Sequence, residues 1–133
     1  MIAELKTHEA AEVEFFDWAS RATLYYTSIV YGGGVHWDAP KKFTSLVGGN
    51  YYEQDGDHDD FEFDGDAPEW IKAVLLNAWK IAELWGQRFQ RYDIQPSFDC
   101  MYREPYPFPE AEILAAIENA IEAYVSDCMT EAA

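Results

Sequence analysis

The residues most able to do chemistry crowd into one stretch, 53–69, which holds nine carboxylates (Glu53, Asp55, Asp57, Asp59, Asp60, Glu62, Asp64, Asp66 and Glu69) and neither lysine nor arginine. Its start, Asp55-Gly56-Asp57-His58-Asp59, resembles the opening of a calcium loop, where alternate oxygen ligands converge on a hard cation. The rest of the pattern fails. The sixth position is Asp60 where such a loop turns on glycine, the ninth is Phe63, and the twelfth is Asp66 in place of a bidentate glutamate. A calcium- or magnesium-binding loop over 55–66 therefore stands only as an alternative. Like charges at this density repel one another, so the run must stay solvated or meet something cationic.

Other chemistries find less support. His8, His36 and His58 fall in three different predicted elements, with no HxxxH spacing and no neighbouring cysteine. Cys100 and Cys128 stand apart, without a CxxC, and read as reduced thiols. The glycine runs 32–34 and 48–49 lack the spacing of a phosphate-binding loop and read as turns. With 25 acids in the chain, no single carboxylate pair is marked out for acid–base work. The expectation is a non-catalytic protein with no metal and no cofactor. Beside the acid run, Tyr51 and Tyr52 are the aromatic pair expected at a binding surface.

The elements that must position these residues follow from periodicity. Thr7 caps a helix reaching about residue 22, with Ala11, Phe15, Trp18 and Ala22 on one side and Glu9, Glu12, Glu14 and Asp17 around it. Residues 23–31 are β-branched and aromatic, a strand by propensity, and 35–37 are expected to begin its return. Short strands are expected over 43–47 and 50–54, separated by a glycine turn, with a half-buried edge strand over 60–64. Asp66-Ala67-Pro68-Glu69 opens a long helix to about 92, whose apolar face holds Trp70, Ile71, Val74, Leu75, Ala78, Ile81, Ala82 and Trp85. Four prolines between 93 and 109 mark an extended crossing with a strand near 98–103. A last helix over about 109–128 carries Ile113, Leu114, Ile117, Ile121, Tyr124, Val125 and Cys128 on one side. Glu110, Glu112, Glu118, Glu122 and Asp127 line the other. The reading is one domain over 1–133, α+β, with a small antiparallel sheet (strands about 23–64) packed with three helices (about 7–22, 67–92 and 109–128).

Composition narrows the function. An apolar content of 49% with 17% aromatics belongs to a folded chain and not to an acidic disordered tail. A net charge of −16 argues against direct binding to a nucleic-acid backbone and favours a cationic partner. No stretch approaches the ~20 apolar residues needed to span a bilayer, and the N-terminus has no export signature, so a cytoplasmic protein is expected.

Phe16-Asp17-Trp18 on a helix, then Tyr31-Gly32-Gly33-Gly34-Val35-His36-Trp37, then Leu46-Val47-Gly48-Gly49-Asn50-Tyr51-Tyr52, is similar in order to the ArdB/KlcA antirestriction proteins. An alanine- and leucine-rich helix, here about 73–84, and a closing proline-glutamate-alanine segment, here 109–117, complete the pattern over most of 15–121. The chain departs from it by one residue inserted before Trp37, a longer 37–46 and the additional acid run. The resemblance implies a small mobile-element protein that blocks a host restriction system, with no catalytic residues to carry over.

Charge and resemblance lead to one expectation. The protein is an acidic inhibitor from a phage or other mobile element, of the antirestriction or anti-CRISPR kind. Its carboxylates stand in for phosphates on the basic nucleic-acid-binding surface of a host defence complex. The expected contact residues are Tyr51, Tyr52, Asp55, Asp57, Asp59, Asp60, Glu62 and Asp64, with Glu118 and Glu122 as a second acidic ridge. An immunity protein or antitoxin bound to a cationic nuclease toxin obeys the same physics and is the main alternative.

Overall fold

Thr7 starts the first helix. Its hydroxyl accepts the Ala10 N–H at 3.1 Å, satisfying one of the donors that a first turn leaves unpaired. Helix α1 runs His8–Arg21 and buries Ala11, Phe15 and Ala19 at the four-residue spacing of one helical face. The computed structural model describes residues 7–27, 38–54, 58–92 and 107–132. Within them follow strand β1 (Thr23–Thr27), helix α2 (Asp38–Val47), strands β2 (Asn50–Gln54) and β3 (Asp60–Glu62), helix α3 (Glu69–Tyr92) and helix α4 (Glu110–Ala132). The class is α+β, as the sequence pattern predicts. The return strand at 35–37 and the strand near 98–103 lie outside the described residues.

Helix α2 replaces the strand expected over 43–47 and raises the described helices to four. Phe43-Thr44-Ser45-Leu46-Val47 has strand propensity when taken alone. Read from Asp38, however, Ala39, Phe43 and Val47 recur every four residues, and all three are buried. Pro40 sits in the first turn, where a missing N–H does no harm. Thr44 and Ser45 turn their hydroxyls back to the Pro40 and Lys41 carbonyls at 2.9 Å each, which accommodates both residues inside the helix.

That helix also decides the sheet. It lies between β1 and β2, and a crossover of this kind lets the two strands run parallel, with Thr23 opposite Asn50 and Thr27 opposite Gln54. β3 pairs with the other side of β1 and is antiparallel, Leu24 facing Phe61. The sheet is therefore mixed, in the order β2-β1-β3, and not the antiparallel sheet expected. The central strand is β1. Helix α3 begins at Glu69, two residues later than expected, so Pro68 lies just outside it and Asp66 is not its cap. Its buried face, Ile71, Leu75, Ala78, Trp79 and Ala82, meets Ile113, Ile117 and Ile121 of α4 and Phe15 of α1 in one core. Phe43 bridges α2 to that core, edge-on to Trp79 with ring centroids 5.3 Å apart and 6.2 Å from Phe61.

Gly48 and Gly49 join α2 to β2 with φ of +86° and +96°, a conformation that L side chains resist. Space is as tight as the dihedral: a Cβ on Gly49 would stand 2.6 Å from the Ala22 carbonyl oxygen and 2.9 Å from that of Ala19. Gly49→Ala is expected to lower stability by about 2 kcal/mol or more, measured by urea denaturation.

Candidate functional site

β2 ends beside Thr27 and β3 begins on the far side of β1, opposite Tyr25. That topology brings Asp59 to the end of the central strand. Its Oδ1 accepts the Thr27 N–H at 2.8 Å and the Thr27 hydroxyl at 3.2 Å, capping β1 where its ladder with β3 has run out. Oδ2 accepts the indole N–H of Trp79 at 2.6 Å. Glu83, one turn beyond Trp79 on α3, hydrogen-bonds to the same carboxylate. The carbonyl of His58, just before Asp59, is held by the Gln54 side-chain amide at 3.0 Å.

Two half-buried carboxyls in contact divide their protons unequally. Burial would raise Asp59, but hydrogen bonds from Glu83, Trp79 and Thr27 outweigh it and hold Asp59 below the ordinary aspartate range. Burial, then the hydrogen bond to Asp59 and its charge, push Glu83 up to about 7, against a smaller pull downward from Lys80. Below about pH 7 the pair holds one proton, carried by Glu83 and directed at Asp59. Both Asp59 oxygens already accept hydrogen bonds, so this arrangement fixes structure and stores a proton.

The remaining acids lie differently. Alternation along the strands places Thr23, Tyr25, Asn50, Tyr52, Asp60 and Glu62 on the outer face of the sheet, and Leu24, Tyr26 and Phe61 on the core face. Tyr52, Tyr25 and Asp60 stand in one row across the three strands. Tyr25 and Tyr52 stack at 6.1 Å, and Tyr52 is 57% exposed. Tyr51 points the other way, towards Tyr26 at 6.2 Å, and is 37% exposed, so the two tyrosines do not share a face. Asp60 pairs with Lys72 at 2.8 Å; burial opposes its ionisation, but that pairing wins and lowers its pKa. Asp64 pairs with Arg21 at 2.7 Å, beneath which lies the Trp18 ring. Glu62 is exposed, whereas Asp55 and Asp57 lie outside the described residues.

The second ridge divides too. Glu122 is exposed, but Glu118 turns to α1, where His8 Nε2 is 2.7 Å from its carboxylate. It also hydrogen-bonds to Glu12, which raises Glu12 and, together with His8, lowers Glu118. Glu12, His8 and Glu83 were not among the residues expected to matter. The His8–Glu12 spacing of four was legible as one helix face, but their meeting with Glu118 spans the chain.

No family model, curated protein or solved structure matches this chain, so its chemistry must be read from its own residues. Among the described residues, no helix is long and apolar enough to cross a membrane.

The proton on Glu83 has a consequence for stability. Because its folded-state pKa, about 7, lies above the ordinary 4.5, the folded chain binds more protons than the unfolded one between those values. Stability from this group therefore falls as pH rises through that window. Asp59 acts oppositely: its contribution is present above the ordinary 3.8 and is lost as pH falls through its lower folded value. Glu83→Gln keeps a donor for Asp59 and removes the titration. Its melting temperature relative to the unaltered protein, followed by scanning calorimetry, should rise from pH 5 to about pH 7 and then level off. Trp79→Phe strips the carboxylate of its indole donor and should cost about 1.5–3 kcal/mol in denaturant titrations.

Proposed function

We propose that the protein is an acidic, non-catalytic inhibitor that docks the outer face of its sheet onto the basic nucleic-acid-binding surface of a host defence complex. The observation that carries this reading is the row of stacked Tyr52 and Tyr25 beside Asp60 and Glu62 on an exposed, three-stranded surface. Tyrosine supplies amphipathic contact area with few rotatable bonds, and the flanking carboxylates supply attraction and register. A net charge of −16 steers such a face to a cationic groove from a distance and keeps it away from the nucleic acid itself.

The ion pairs already on this surface do not obstruct the role. Asp60–Lys72 and Asp64–Arg21 are exposed, and such pairs contribute at most about 1 kcal/mol each, so a partner's arginines can compete for the same carboxylates. Asp59 is excluded from the contact, because removing it from Thr27 and Trp79 would leave buried donors unpaired. The proposed contact is therefore Tyr52, Tyr25, Asp60 and Glu62, with Tyr51 and Glu53, on the other face of the edge strand β2, bordering it. Asp64 and Glu122 belong to the surrounding negative field, and Asp55 and Asp57 add to the net charge.

Capture from the natural host's lysate tests this, with a variant carrying Glu62→Lys, Asp60→Lys and Tyr52→Ala run in parallel. The expected catch is a nucleic-acid-binding protein that is displaced by duplex DNA or RNA and by rising salt. The variant should hold it at least about tenfold more weakly. A partner retained equally by the folded variant, or one indifferent to nucleic acid, would overturn the reading.

A further inference from the structure

We propose that His8, Glu12 and Glu118 form a binding site for a divalent cation of the zinc class, bridging the first turns of α1 to the middle of α4. Among the described residues these three make up the one group whose ligating atoms converge, all within 4.8 Å of one another. His8 and Glu12 are one turn apart, so their side chains leave α1 on the same face. Glu118 arrives from the packed neighbour α4 and closes the triangle.

The distances suit a metal. His8 Nε2 is 2.7 Å from Glu118 Oε2 and 3.7 Å from Glu12 Oε2. Ligands at ~2.1 Å from a tetrahedral zinc ion stand ~3.4 Å apart, between those two values. Occupation requires His8 and Glu118 to part by about 0.7 Å and His8 and Glu12 to close by about 0.3 Å, in side chains that are two-fifths or more exposed. Glu12 and Glu118 come together where α1 meets α4, and a divalent cation would take the place of the hydrogen bond that now joins them. The donor set then selects the ion. One imidazole nitrogen and two carboxylates favour zinc and its transition-metal neighbours over calcium or magnesium, which take all-oxygen shells. Exposure leaves the remaining coordination positions to water or to a partner's side chain.

Calorimetric titration of zinc chloride into the full chain tests the site, with excess magnesium present to occupy diffuse acidic surface. Expected is one stoichiometric site that persists in magnesium, raises the melting temperature, and weakens at least about tenfold in His8→Ala and in Glu118→Gln. All three side chains lie at the surface, and circular dichroism verifies that each variant is folded, with His8→Gln taking the place of any His8→Ala protein that is not. Cobalt(II) provides a second readout, through visible absorption bands present in the unaltered protein and lost in the His8 variant. Weak, multiple binding that magnesium abolishes would overturn the proposal. So would a tight site that neither His8 nor Glu118 affects.

Discussion

Asp59 accepts hydrogen bonds at both carboxylate oxygens, from the end of the central strand on one side and from the Trp79 indole on the other, and the arrangement around it follows from that demand. A carboxylate withdrawn from water without donors is costly enough to protonate or to unfold its surroundings. The chain meets the requirement by bringing β1 and α3 to the same point. Trp79 then has a fixed orientation, and its ring receives Phe43 edge-on, which in turn lies against Phe61 of β3. One polar contact thereby aligns α2, α3 and the two paired strands. Glu83 completes it by holding the proton that lets a second acid sit in the same place.

The wider problem is a chain with 25 acids and nine bases. Among the described residues its carboxylates have three separate fates. Asp59 and Glu83 are drawn inward and share a proton. Asp60, Asp64 and Glu118 meet Lys72, Arg21 and His8 across element boundaries, where each pair fixes a neighbour without being buried. Others, such as Glu53, Glu62 and Glu122, remain open to solvent. Only the last two groups remain available to a cationic partner, because exposed pairs exchange readily and the inward pair does not. The acid run is therefore both a fastening and a surface, and the division falls between adjacent residues, Asp59 and Asp60.

Much of this was legible in the residues. Thr7 as a cap, the apolar faces of α1, α3 and α4, the glycine turn and the short strand carrying Phe61 all follow from local periodicity and stereochemistry. Helix α2 was obscured because five residues with strand propensity masked a period visible only when Ala39 is included. The sheet follows from that helix, since the parallel pairing of β1 and β2 depends on the crossover. The inward turn of Asp59 had no local signal at all: in sequence it is one acid among nine, and only tertiary structure places Trp79 and Thr27 around it. Glu118 beside His8 is the same case, a contact 110 positions apart. Charge density indicates how strongly acids must be managed, but not which of them the fold uses for itself.

Carbon-13 NMR titration of the side-chain carboxyls measures the central contact directly. Glu83 should titrate near pH 7, with the Asp59 resonance responding over the same range, while Asp59 keeps its charge below the pH at which ordinary aspartates lose theirs. Independent titration of both groups alongside the exposed acids would mean that no proton is shared and that Asp59 does not hold the strand to the helix.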